Sequence, residues 1–200
     1  MEVPARDDPG SHASLNAAAP RPLRLVLDGI DRLGRLDGWI DGGCLIALTI
    51  LMLGEIGTRF LSGFLPFFPP SLSIAWEYSS YLMAACFTFG AAMTLRAGGH
   101  IRVGLLLKNA PPALRWALEV VSTLIALCFM AFLTYTMVRF TLTSFARGHV
   151  STGTETPLWI PQAAVNFGML LLTLQFLARL IQTFFGLPLE DPRMKASPAE

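Results

Sequence analysis

Four apolar runs, each long enough to cross a lipid bilayer, constrain this 200-residue chain more than any other feature. A hydrocarbon core of roughly 30 Å takes about 20 helical residues, and residues 39–61, 73–97, 113–145 and 158–185 each meet that length. Lipid offers no partner for backbone N–H and C=O groups, which leaves helices or a closed barrel as the ways to span it. The runs have no alternating pattern and far exceed the roughly 10 residues of a barrel strand, so helices are expected. Composition agrees, with 53% hydrophobic and 14% charged residues where a soluble domain carries about 25% charge. The fold class is therefore an all-α integral membrane protein with four transmembrane helices, supplemented by interfacial amphipathic helices, with both termini cytoplasmic.

Punctuation marks the ends of these runs: Pro66, Pro69 and Pro70 after the first, Gly98 and Gly99 after the second, Pro111 and Pro112 before the third, Gly148 and Gly153 before the fourth. At about 1.5 Å per residue the third run is longer than the core, so it must tilt or project. Orientation follows from Lys and Arg, because positive loops resist translocation. Arg6, Arg21, Arg24, Arg32 and Arg35, then Arg96, Arg102, Lys108 and Arg115, and finally Arg179, Arg193 and Lys195 fall on one side. Arg59 and Arg147 fall on the other, with Arg139 inside the third run. The side with more positive charge is the cytoplasm, and the loops near residues 62–72 and 146–157 are outside.

Residues 1–20 contain no apolar stretch of the kind a cleavable signal peptide needs and read as a disordered cytoplasmic tail; residues 187–200 form a cytoplasmic tail at the other end. Between the first tail and the first run, residues 21–38 place Leu23, Val26, Leu27, Ile30 and Leu33 at three- and four-residue spacing, with Arg24, Asp28, Asp31, Arg32 and Arg35 opposite. This predicts a helix lying on the inner leaflet. Residues 101–107 repeat the pattern in shorter form.

A charge inside lipid is costly, about 2.5–3.5 kcal/mol near a helix centre on insertion scales, so each such residue is a candidate for function until a partner explains it. Glu55 with Arg59, and Arg115 with Glu119, sit four apart and are expected to pair along their own helices. Glu77 and Arg139 lie near the outer ends of the second and third helices, and an interhelical ion pair between them is expected. On the second helix Ser80, Ala84, Thr88, Ala92 and Arg96 recur every four residues, with Cys86, Gly90 and Thr94 nearby. Small residues at that spacing admit another helix closely, either within this bundle or in a second membrane protein. Cys44, Cys86 and Cys128 have no metal-ligand spacing and read as core residues. His100 and His149 fall on opposite sides of the bilayer, so a shared haem is not expected, nor any other cofactor or metal. Neither a nucleophile with its base nor paired aspartates at bilayer depth are visible, so an enzyme is not expected. The net charge of +1 and the absence of a basic, aromatic-interleaved patch argue against nucleic acid as a partner.

These residues resemble a known family. Trp76-Glu77-Tyr78-Ser79-Ser80-Tyr81, then Phe89-Gly90-Ala91-Ala92, then Arg96-Ala97-Gly98-Gly99-His100-Ile101-Arg102-Val103 is similar to the signature of the small membrane subunit of tripartite ATP-independent periplasmic (TRAP) transporters. Thr58-Arg59-Phe60 resembles the Arg-aromatic pair that closes the family's first helix. Thr156-Pro157-Leu158-Trp159-Ile160-Pro161, followed by Gly168, resembles its proline-flanked start of helix four. The likeness runs from about residue 40 to 186. Tyr78 and Gly104 stand where the family often has acidic residues, so no role is carried to them.

The resemblance implies a small permease subunit, in the inner membrane of a bacterium, of a three-part importer. In such systems a periplasmic solute-binding protein delivers an organic anion, usually a carboxylate, to a large membrane subunit that moves it with the sodium gradient by an elevator motion. The small subunit acts as scaffold and helps dock the binding protein; sodium is expected at the large subunit. Expected partners are therefore the large subunit, the binding protein and membrane lipid. Structural or partner-contact roles fall to Arg59, Trp76, Glu77, Ser80, Ala84 and Thr88, and further along to Gly90, Arg96, His100, Arg102, Arg139, Pro157 and Pro161. The outer loop with Phe64, Phe67 and Phe68 is apolar enough to lie against the large subunit, the membrane or the binding protein. Two other classes remain open on the residues alone: a membrane anchor of a respiratory complex, which needs paired histidines at one depth, and a self-contained exporter or channel, which needs a polar path.

Overall fold

The computed structural model describes residues 20–65, 67, 69–96 and 111–187. Among the described residues there are four helices: α1 Arg21–Ser62, α2 Ala75–Arg96, α3 Pro112–Ala146 and α4 Trp159–Phe184. The expectations for residues 1–19, 97–110 and 188–200, which include both tails, the 101–107 segment, His100 and Arg102, lie outside the described residues.

Local chemistry accounts for the helix ends. Pro22 and Pro112 occupy the first turn of α1 and α3, where a missing N–H costs nothing and the ring presets φ. α3 and α4 both end in a Schellman arrangement. The His149 N–H donates to Ser144 O at 3.0 Å and the Gly148 N–H to Phe145 O at 3.2 Å; at α4 the Leu187 N–H donates to Gln182 O at 2.9 Å and the Gly186 N–H to Thr183 O at 3.3 Å. Gly148 and Gly186 supply the positive φ, +61° and +63°, that this turn demands. Leu187, just past the turn, is buried against Leu27, Ile30 and Ala178, so the cap of α4 also seats the N-terminal half of α1.

α4 is the axis of the bundle and packs against each of the other three helices, while α1 packs on α2 and α3 packs on α4. Its buried stripe, Gly168, Leu171, Leu172, Gln175, Ala178, Arg179, Gln182 and Thr183, follows a helical period. Three small cores result. Leu27 and Ile30 meet Ala178 and Leu187; Ala85 and Phe89 meet Leu171 with Cys44 alongside; Ala92 and Leu95 meet Leu172 with Met130 alongside. Outside these contacts the large apolar side chains face outward, among them Ile46, Ile50 and Leu53 of α1 and Phe129, Phe132 and Phe140 of α3. Such faces are incompatible with water and suit lipid or another membrane protein.

Three of the helices, α1, α3 and α4, are long and apolar enough to cross a membrane. α2, with Trp76, Glu77, Tyr78, Ser79 and Ser80 in its first turns, is 22 residues long and packs between α1 and α4.

α1 departs from the sequence reading. It is a single unbroken helix of 42 residues, where a separate interfacial helix over 21–38 and a span over 39–61 were expected. No proline interrupts residues 23–62, and isolated glycines lower helix stability by only about 1 kcal/mol each. The apolar side of the amphipathic stretch is used inside the protein: Leu27, Ile30, Gly34 and Asp37 are buried, while Val26 and Leu33 are exposed.

Candidate functional site

Polar side chains gather at the two ends of the bundle. At the end where α1 finishes and α2 begins, Glu55 of α1 is 6% exposed. Its Oε1 accepts from the Arg59 guanidinium at 2.7 Å and its Oε2 from the Leu72 N–H at 2.7 Å. The expected pair is present, and the same carboxylate ties the loop between α1 and α2 back onto α1. A groove of 370 Å³ opens beside it, lined by Met52, Ile56, Arg59, Phe60, Ala75 and Trp76 together with Glu55.

Glu77, the residue after the groove-lining Trp76 on α2, holds the connection between α3 and α4. The Tyr81 hydroxyl donates to Glu77 Oε1 at 2.5 Å and the Thr154 hydroxyl to Oε2 at 3.0 Å. A hydroxyl has one proton, so Thr154, having given its own to Glu77, receives one from Thr156 at 2.6 Å, and Thr156 in turn receives from Tyr78 at 3.1 Å. The relay thus runs Tyr78 to Thr156 to Thr154 to the carboxylate, each bond polarising the next. Residues 149–158 form a tight hairpin closed by Ser151 N–H to Thr156 O at 2.9 Å and Leu158 N–H to His149 O at 3.0 Å, with a β-bridge between Val150 and Pro157. Gly153 lies so close to Glu77 that a Cβ there would sit 2.9 Å from Oε2.

The expected ion pair between Glu77 and Arg139 is not formed. Arg139 is exposed on α3, donates to its own helix neighbour Tyr135 at 3.1 Å, and lies 6.0 Å over that ring. Glu77 faces the hairpin instead, where hydroxyls and not a guanidinium satisfy it.

At the opposite end, Arg179 of α4 is 7% exposed. Its Nη2 and Nε donate to Glu119 Oε1 of α3 at 3.1 and 3.4 Å, and its Nη1 donates to Leu95 O of α2 at 3.2 Å. One guanidinium thus joins α4 to both α2 and α3. Glu119, expected to pair along its own helix with Arg115, reaches across the bundle to Arg179. Four residues earlier on α4, the Gln175 amide donates to Ile30 O of α1 at 3.1 Å, and the Trp116 indole donates to Thr183 O at 3.3 Å. All four helices are therefore joined at this level. On α1, Asp37 is wholly buried, and among the described residues neither carboxylate oxygen has a hydrogen-bond partner.

The small-residue face of α2 divides. Ser80 and Ala84 are exposed, Thr88 is half-buried and Ala92 is buried. At Thr88, Gly168 of α4 comes so near that a Cβ on it would lie 2.7 Å from Thr88 Oγ1. Gly90 does the same for α1, its missing Cβ leaving room for the Asp41 carboxylate at 3.0 Å. Trp76 is exposed at the groove, Pro157 is exposed in the hairpin, and Pro161 sits in the first turn of α4, where its ring is tolerated. Arg96 is the last residue of α2; its side chain, like His100 and Arg102, lies outside the described part. Arg179, Gln175 and Asp37 were missed by the sequence reading, which counted Arg179 among the cytoplasmic charges. The signal lay in the spacing of Gln175, Arg179 and Gln182 along a helix otherwise apolar, since polar groups on a lipid-embedded helix turn inward.

Among the described residues no group of three or more His, Cys, Asp or Glu is placed to hold a metal ion. Apart from Asp37, the polar groups named above satisfy one another and fix helix against helix. This defines a membrane bundle built for position. The model of the family described as tripartite ATP-independent periplasmic transporters, DctQ component, matches residues 48–186. No curated protein and no solved structure matches the chain. The family match covers more than half of the chain, and the protein belongs to this family: it is a small membrane subunit of a TRAP transporter.

Proposed function

We propose that the chain is the fixed scaffold of a sodium-driven importer of organic anions, of the carboxylate class, in the bacterial inner membrane. The family match over residues 48–186 carries this reading. In it, all four helices cross the bilayer, both termini are cytoplasmic, and the bundle stands beside the large permease subunit and helps dock the periplasmic solute-binding protein. An elevator mechanism moves one domain past another, which works only if the second does not follow. The inner clamp of Arg179 with Glu119 and Leu95 O, and the outer tie of Glu55 with Arg59 and the Leu72 N–H, support that role, because each joins separate elements by groups that water cannot easily replace. The exposed apolar faces of α1 and α3 offer area for lipid and for the large subunit. Withdrawing Arg179 from the loop charges leaves the positive bias on the same side.

Reconstitution tests the proposal. The chain is co-purified with a large TRAP permease subunit from the same organism, and carboxylate uptake is measured in liposomes with a solute-binding protein of that system. Uptake is expected to follow an inward sodium gradient and to collapse when this subunit is left out. Uptake of the same rate without it would reject the scaffold role, and uptake by this chain alone would favour a self-contained carrier.

A further inference from the structure

We propose that the groove between the outer ends of α1 and α2 binds one outer-leaflet glycerophospholipid, its phosphate on Arg59 and an acyl chain along Met52, Ile56 and Phe60. The cavity has a volume of 370 Å³ and its wall is apolar apart from Glu55 and Arg59. Those two are arranged unequally. Both oxygens of Glu55 are occupied, one by Arg59 and one by the Leu72 N–H, and the carboxylate side chain is 8% exposed. The Arg59 side chain is 57% exposed. A guanidinium has five N–H donors, and the 2.7 Å bond from Nη2 to Glu55 uses one of them. Glu55 thus acts as a buried post that holds the guanidinium at the lip of the groove with donors left facing outward.

The charge that fits those donors is a phosphate, which a guanidinium engages through paired N–H groups. Depth selects the lipid as its source. Arg59 lies in the last turn of α1 and Trp76 in the first turn of α2, where a membrane helix meets the headgroups. Trp76 and Phe60 are 70% and 67% exposed on either side of the groove, as aromatic side chains at an interface commonly are. From that level the exposed Ile56 and the half-buried Met52 lead one helical turn at a time toward the bilayer interior, the direction an acyl chain takes. The tie from Glu55 to the Leu72 N–H keeps the loop from folding into this space.

Native mass spectrometry of the full-length chain, released from detergent after titration with dioleoyl-phosphatidylglycerol, tests the assignment. One phospholipid is expected to bind in preference to further copies, and dioleoylglycerol, with the same chains and no phosphate, about tenfold more weakly, a difference of about 1.4 kcal/mol. Arg59→Gln should weaken phospholipid binding by a similar factor and leave dioleoylglycerol unchanged. Because loss of Arg59 also strips Glu55 of its partner, Ile56→Trp serves as the second variant: it fills the groove, keeps the ion pair, and should abolish the preferred phospholipid. Inorganic phosphate at millimolar concentration should not compete. Equal binding of the two lipids, or an unchanged phospholipid in both variants, would overturn the proposal. So would competition by free phosphate, or loss of the large subunit from Ile56→Trp with lipid binding intact, which would make the groove a protein contact.

Discussion

Arg179 and Glu119 show how a charge survives at bilayer depth. Removing one member of a buried pair leaves the other uncompensated, at a cost of about 3–5 kcal/mol, whereas replacing both by apolar residues is often close to neutral. Arg179→Gln and Glu119→Gln should each lower the melting temperature of the detergent-solubilised protein markedly. The double variant Arg179→Met with Glu119→Met should lose much less than the two singles combined. Simple additivity would show that the clamp is not a coupled unit. Gly168 makes a different demand, on space alone. A methyl group there meets Thr88 Oγ1 at 2.7 Å and Thr88 Cβ at 2.9 Å, so Gly168→Ala should destabilise by about 1–3 kcal/mol through overpacking. Adding Thr88→Ala removes the nearer of those atoms but not the Cβ, so thermal denaturation should show a partial rescue and not a complete one. The sequence made Gly168 visible through the family pattern and Thr88 through the four-residue stripe. That the two face each other depends on the relative rotation of α2 and α4, which no local spacing encodes.

The helices themselves were largely legible, because hydrophobic length and proline or glycine punctuation are local signals. The continuity of α1 was not. Amphipathic periodicity over 21–38 has the same form whether the apolar face meets lipid or a protein neighbour, and only the buried side of α4 decides between them. Spin labels at the exposed positions Leu25 and Leu45 test this in a background with the native cysteines replaced by serine. An unbroken helix places the two backbones about 30 Å apart at 1.5 Å per residue. A right-angle bend near residue 38 would bring them to about 22 Å by the same rise. The pairing of Glu77 failed for a related reason: a carboxylate predicts a donor but does not say which, and a hairpin of threonines met it before Arg139 did. Glu77→Ala should release the 149–158 hairpin, seen as protease cleavage inside that hairpin in the variant and not in the parent protein. Charge exchange between positions 77 and 139 should rescue nothing.

At the scale of the whole molecule the open quantity is the number of crossings, and α2 determines it. By hydropathy α1, α3 and α4 qualify as spans, and α2 carries its polar residues in its first turns, Trp76 to Ser80, with the Glu77 network fastening them to the hairpin. Its remaining turns, from Leu82 to Leu95, include the buried Ala85, Phe89, Ala92 and Leu95, so its inward face is covered by α1 and α4 and does not have to be as apolar as a lone span. A helix of 22 residues is about 33 Å long at 1.5 Å per residue, enough to cross beside its neighbours. If it does, alkaline phosphatase fused after residue 65 or within 151–155 is active, and fused after residue 20 or 187 it is inactive, while a fluorescent protein at the C-terminus is bright. If α2 stays on one side, the chain crosses three times, the fusion after 187 becomes active and the terminal fluorescence is lost. The hairpin held by Glu77 faces the compartment of the solute-binding protein only in the first arrangement, so this one comparison decides whether the docking role is geometrically open to the subunit.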